Sequence, residues 1–120
     1  MNTTLYGISN CDTVKKARKW LETHELDYSF HDFRKDGLDP ATLSEWTAQL
    51  GWEALLNRRS TSWRQLADAD KTDLDSSKAL ELMLRQPTLI KRPVLEGSNQ
   101  LLVGFSEQAY KGLLNGDASS

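Results

Sequence analysis

The sequence predicts an α/β domain in which helices flank a mixed β-sheet. Three observations predict it: a strand, helix and strand within the first 33 residues, a helical middle, and a hairpin followed by a helix at the end. Thr4–Ile8 is short, apolar and β-prone, and Ser9–Thr13 follows it with turn and capping residues. From Thr13 the apolar residues Val14, Ala17, Trp20 and Leu21 recur at the spacing of one helical face, with Lys15, Lys16, Arg18 and Lys19 on the other. The pattern predicts a helix to about Glu25. Tyr28–Phe33 alternates and is rich in aromatics, a second strand, and strand–helix–strand is the parallel βαβ unit.

Arg34–Gly37 is a polar break. Asp39 as N-cap and Pro40 at the first helical position then start a helix whose stripe of Leu43, Trp46, Thr47 and Leu50 ends at Gly51. Ser62 with Gln65 forms a capping box for a short helix carrying Trp63 and Leu66. Another helix is expected over Ser77–Arg85, with Leu80, Met83 and Leu84 inward and Pro87 as its stop. Leu89–Ile90 and Pro93–Leu95 suggest a strand, Glu96–Asn99 a turn, and Gln100–Phe105 the partner strand of an antiparallel hairpin. Ser106 caps a last helix through Leu114, with Gly116 near its end.

Composition narrows the function classes. The 120 residues suit one domain, and 38% hydrophobic with 27% charged residues is ordinary for a globular protein. No apolar run approaches the roughly 20 residues of a membrane span, so no membrane partner is expected. Met1–Thr4 leads into a strand without a basic start, apolar stretch and cleavage site, which makes the cytoplasm the expected address. A net charge of -2 argues against general nucleic-acid binding. The four tryptophans, Trp20, Trp46, Trp52 and Trp63, fall at helical spacing among Leu and Ala and are read as core. One cysteine with His24 and His31 falls short of the usual structural zinc set, and neither histidine is given a metal or proton-transfer role.

That cysteine carries the chemistry. Cys11 sits between polar Asn10 and Asp12 at a strand-to-helix turn, not on an apolar face. A helix starting at Asp12 or Thr13 would set unpaired backbone N–H groups and the positive dipole end against the sulfur, favouring the thiolate that acts as nucleophile. Lys15 and Lys16 near a helix N-terminus are unfavourable for the helix itself and are explained by an anion held there, or by solubility. Cys11-Asp12-Thr13-Val14 lacks the second cysteine of a C-x-x-C pair, so an outside thiol must resolve any adduct.

Three ordered segments, Leu5–Thr13, Leu55–Thr61 and Leu89–Pro93, resemble the ArsC/Spx family over nearly the whole chain. The Asn-Cys-Asp-Thr loop and Gly51–Asn57 are most similar to its YffB-like branch. The resemblance implies a thioredoxin-like (glutaredoxin-like) fold over 1–120 with a helical insertion at about 38–87. It implies Cys11 as nucleophile, Arg59 or its neighbour Arg58 as an anion-binding group from the insertion, and Arg92 ahead of Pro93, a proline held in cis. Two guanidinium forks suit an oxyanion or the carboxylates of glutathione. Tyr6, Asn10 and Thr13 line the pocket in this reading, although Asn10 and Thr13 serve equally well as turn and capping residues; Lys91 and Arg64 are surface residues.

The expected activity is a thiol-dependent reductase, an oxidoreductase of a small thiol or oxyanion. No bound cofactor is expected, glutathione is the co-substrate, glutathione or glutaredoxin is the resolving thiol, and the protein is a monomer. Arsenate reducers resemble one another in carrying a further arginine before the last helix. Leu101–Phe105 offers none, which argues against arsenate as the natural substrate. The remaining alternatives are a glutaredoxin-coupled arsenate reductase, a Spx-like regulator that binds RNA polymerase without catalysis, and a plain scaffold with an ordinary thiol.

Overall fold

The computed structural model describes residues 3–97 and 100–112, and its internal contacts divide the chain into two compact units, 1–32 with 92–120, and 33–91. In the first unit, β1 (Thr4–Gly7), β2 (Ser29–Asp32), β3 (Val94–Glu96) and β4 (Leu101–Val103) form one sheet in the order β2-β1-β3-β4. β1 pairs in parallel with β2, and the β1–β3 and β3–β4 pairs are antiparallel. α1 (Asp12–Thr23) buries Val14, Ala17, Trp20 and Leu21, the four positions whose spacing predicts its inner face. Leu5, Ala17, Trp20, Leu21, Leu95 and Tyr110 make the core of this unit.

Gly7 lets α1 approach β1. A Cβ there would lie 2.7 Å from Val14 Cγ2, closer than carbon atoms pack. Residues 107–112 are helical, and Ser106 Oγ accepts from the Ala109 N–H at 3.0 Å, so Ser106 caps the segment as its sequence suggests. The expected end of that helix, with Leu114 and Gly116, lies outside the described residues, as do Ser98 and Asn99 of the hairpin turn.

Three strand expectations are corrected. β2 stops at Asp32 because its partner β1 stops at Gly7, with which Asp32 is in register, and Phe33 instead opens the short helix α2 (Phe33–Asp36). The hairpin strands are three residues each, shorter than predicted. Leu89 closes a 3₁₀ turn over Pro87–Leu89, and Ile90 bridges Leu56 in the second unit instead of extending β3.

The second unit is helical. α3 (Pro40–Leu50) starts where Asp39 accepts the Ala41 N–H at 3.0 Å and ends at Gly51, whose φ of 86° suits glycine. α4 (Trp52–Leu55), α5 (Thr61–Arg64) and α6 (Asp68–Lys71) are single turns, and α7 (Ser76–Arg85) is capped by Asp75. The cap of α5 is Ser60, which accepts from the Trp63 N–H at 3.1 Å. Ser62 bonds the Thr88 hydroxyl instead, so the Ser62–Gln65 capping box is not made.

On α7 the buried residues are Ala79, Leu82 and Met83; the expected Leu80 and Leu84 are only half-buried. The helix starts at Ser76, one residue before the expected Ser77, with Asp75 as its N-cap. Trp46 is fully buried, with its ring 6.4 Å from that of Phe33, as a core tryptophan should be. Trp52 and Trp63 are half-buried and flank the Arg58 guanidinium at 5.8 Å each, so they are not core in the sense that Trp20 and Trp46 are.

Candidate functional site

The turn from β1 to α1 is pinned at three points. The Cys11 N–H donates to Ile8 O at 3.1 Å, the Lys15 N–H donates to Cys11 O at 3.0 Å to begin the helix, and the Ser9 N–H donates to Asp32 Oδ2 at 3.3 Å. Asp32 is 4% exposed, at the end of β2. Cys11 is thus the N-cap of α1, with extended backbone (φ -90°, ψ 127°), and is half-buried. Its side chain makes no capping hydrogen bond within the usual distance. The surroundings shift the thiol toward its thiolate.

Burial acts first on this sulfur, and by itself would raise its pKa. The Val14 N–H, the Arg92 side chain, the Thr13 N–H and the positive charge of Arg92 together outweigh burial, so the Cys11 pKa lies below that of an ordinary thiol. Thr13 and Val14 are the second and third residues of α1, whose N–H groups have no partner within the helix. Arg92 lies two residues before β3, which is hydrogen-bonded to β1, so the sheet brings both ends of the unit to the sulfur. The Arg92–Pro93 peptide is cis, and Pro93 O accepts from the Gly104 N–H at 2.8 Å.

Of the residues singled out from sequence, Cys11, Asn10, Thr13, Arg92 and Pro93 belong to the first unit. Asn10 and Thr13 are exposed beside Cys11, Thr13 contributing its amide, and Pro93 is buried. Tyr6 packs against His31, with ring centroids 4.8 Å apart, and donates to Glu96 Oε1 at 3.3 Å. Arg58 and Arg59 belong to the second unit. Both are exposed; Arg58 lies over Trp52 and Trp63, while the Arg59 N–H donates to Asn57 Oδ1 at 3.0 Å. Arg64 Nη2 donates to Arg59 O at 3.4 Å, and Lys91 is exposed.

Sequence reasoning missed Asp32, which holds the loop two residues ahead of Cys11. A signal was present: a carboxylate at the C-terminal end of a parallel strand, where α/β sheets place functional groups. Among the described residues no group of three His, Cys, Asp or Glu side chains could hold a metal ion, and no helix is long and apolar enough to cross a membrane.

A mixed sheet in the order β2-β1-β3-β4, a lone thiol at the start of the first helix and a cis-proline ahead of β3 define a thioredoxin-like protein with a single-cysteine site. The chain belongs to the ArsC family, whose model matches residues 6–113. An uncharacterised protein of Haemophilus influenzae is 48% identical over 108 residues, covering 90% of this chain and 95% of that one. The global transcriptional regulator Spx of Lactiplantibacillus plantarum is 27% identical over 112 residues, covering 92% and 84%. Among solved structures, a YFFB protein superposes with a TM-score of 0.90 at 51% identity, covering 92% of this chain and 97% of that chain. An arsenate reductase (ArsC) related protein from Brucella melitensis gives 0.76 at 49% identity, with 95% of each chain covered.

Proposed function

We propose that the protein is a glutathione-dependent thiol reductase with Cys11 as its nucleophile. The observation that carries this reading is the set of groups around one half-buried sulfur, the Val14 and Thr13 amides and the Arg92 guanidinium, which lower its pKa against the opposing effect of burial. In the proposed cycle the Cys11 thiolate attacks a mixed disulfide of glutathione and a substrate thiol. A Cys11–glutathione disulfide forms as the substrate sulfur leaves as thiolate and takes up a proton. A second glutathione thiolate then attacks the glutathione sulfur of that adduct, releasing glutathione disulfide and restoring the Cys11 thiolate. The chain has one cysteine, so the second thiol must come from outside. The role of Arg58 or Arg59 in holding an anion enters this proposal from the sequence resemblance.

The rate of Cys11 alkylation against pH, with and without glutathione, tests the reading. It expects an inflection below that of a free thiol, near pH 8.5, that glutathione displaces. A free-thiol profile indifferent to glutathione overturns it. The arsenate alternative rests on the 49% identity to the arsenate reductase related protein, and turnover of arsenate without turnover of a glutathione mixed disulfide would favour it. The Spx relatives favour a second reading, a regulator without catalysis. Co-purification with RNA polymerase that survives Cys11→Ser would support that reading.

A further inference from the structure

A groove of about 700 Å³ runs along α1 in the first unit, a size within the range of ligand pockets. It opens at Thr13, whose amide is one of those acting on the Cys11 sulfur, and reaches His24 at the far end of the helix. Trp20, nearly buried, and the half-buried Phe105 supply apolar surface within it, while the exposed Lys16 and Lys19 stand one turn apart on its rim. The His24 ring stacks on Trp20 at 3.9 Å with Nδ1 2.8 Å from Trp20 O, so the distal wall is held by contacts inside α1. Among the described residues, Glu107 is the one carboxylate lining the groove, against two lysines.

The geometry points to this groove as the recognition site for an acidic, partly apolar polypeptide segment that presents its modified cysteine to Cys11. The inference rests on the proposed thiol chemistry and names its substrate class: protein thiols flanked by Asp or Glu. Length separates a peptide from a small thiol. Thr13 to His24 spans about 16 Å at the helical rise, a distance that an extended peptide covers with about five residues. Charge gives the sign. Two ammonium groups against one carboxylate favour an anionic occupant, and the Trp20 and Phe105 rings in the lining suit an apolar side chain set among acidic ones.

Binding tests the inference without turnover. An acetylated six-residue peptide of alternating glutamate and leucine is titrated calorimetrically into the wild-type protein at low ionic strength, beside a counterpart with glutamine for glutamate. The acidic peptide should bind about tenfold more tightly, and the double variant Lys16→Ser, Lys19→Ser should remove that preference. Lys15→Ser, on the same helix but outside the groove, should keep it. Equal binding of the two peptides overturns the inference, as does an equal loss in the Lys15→Ser variant, which would reveal a diffuse charge effect. Lysine-dependent binding of glutathione disulfide with no binding of the peptide also overturns it, assigning the groove to a small thiol. The alkylation profile of Cys11 does not depend on the peptide. A free-thiol profile with peptide binding intact would therefore sink the reductase reading and the role of the segment as substrate, and leave the preference of the groove for acidic peptides standing.

Discussion

Replacing Gly7 by alanine should strain the contact that seats α1 on β1. The new Cβ would stand 2.7 Å from Val14 Cγ2 and 3.3 Å from Val14 Cγ1. Carbon atoms pack at about 3.5 to 4.0 Å, so the pair must separate by about 1 Å. Val14 cannot yield by rotation, because a β-branched residue in a helix has essentially one χ1 well and this side chain is fully buried. Overpacking of this kind costs about 1 to 3 kcal/mol, and at this chain length 2 kcal/mol lowers the melting temperature by about 8 °C. Thermal unfolding followed by circular dichroism measures it. The double variant Gly7→Ala, Val14→Ala should lose less than the sum of the two single losses, by about 1 kcal/mol or more, since the second change removes the methyls that the first one meets. A Gly7→Ala protein melting within about 2 °C of wild type, or strictly additive losses, would refute the argument.

Three further outcomes follow from the same coordinates. Arg92→Met should slow alkylation of Cys11 at pH 7 by about fivefold. A charge-assisted hydrogen bond is worth about 1.5 to 3 kcal/mol, and solvent screening at a half-buried sulfur reduces that to about 1 kcal/mol; an unchanged rate counts against Arg92. Because the Cys11 pKa is lowered in the fold, the native state holds this proton less tightly than the unfolded chain does. The stability from the thiolate is therefore full above about pH 8.5 and lost as pH falls through the native value. Denaturant midpoints of wild type and Cys11→Ser should accordingly draw apart from neutrality upward, and a gap that narrows would reverse the assigned sign. Tyr110→Phe should stabilise the protein by about 1 kcal/mol, since the buried Tyr110 hydroxyl finds no partner among the described residues; a loss of that size would mean that the hydroxyl is bonded.

What the sequence made legible was governed by local rules. The α1 face could be read because Val14, Ala17, Trp20 and Leu21 repeat with the helical period and nothing interrupts them. Asp39–Pro40 marked the start of α3 because cap and first-turn preferences are set by the backbone groups of that turn alone. The misread strands share one cause, pairing with a distant segment. Phe33 has strand propensity, but the strand it would extend has no further partner once β1 ends at Gly7. Ile90 looks like part of a strand and pairs with Leu56, 34 positions away, a choice that no window around it encodes. Ser62 satisfies a capping pattern, yet Ser60 caps α5, because the Asn57 carbonyl takes both the Ser60 hydroxyl and its N–H and turns the chain two residues earlier. At the site, the position of Cys11 was readable from the turn. That Asp32 anchors Ser9 was not, since the contact spans 23 residues.

Access and ionisation pull in opposite directions at a lone nucleophilic cysteine. With no second cysteine in the chain, any disulfide formed on Cys11 must be opened by a thiol arriving from solvent, so the sulfur cannot be fully buried. A solvated thiol, however, is mostly protonated at neutral pH. The β1–α1 turn meets both demands with fixed backbone donors. The Thr13 and Val14 amides are oriented by the helix itself and need no reorganisation when charge appears on the sulfur, while the neighbouring Ser9 and Asn10 are exposed. Arg92 adds to those fixed amides a side-chain hydrogen bond and a positive charge, both of which lower the Cys11 pKa further. Removing the charge while keeping the amides should thus reduce the reactivity of Cys11 without abolishing it, whereas a change that displaces the start of α1 removes both donors together.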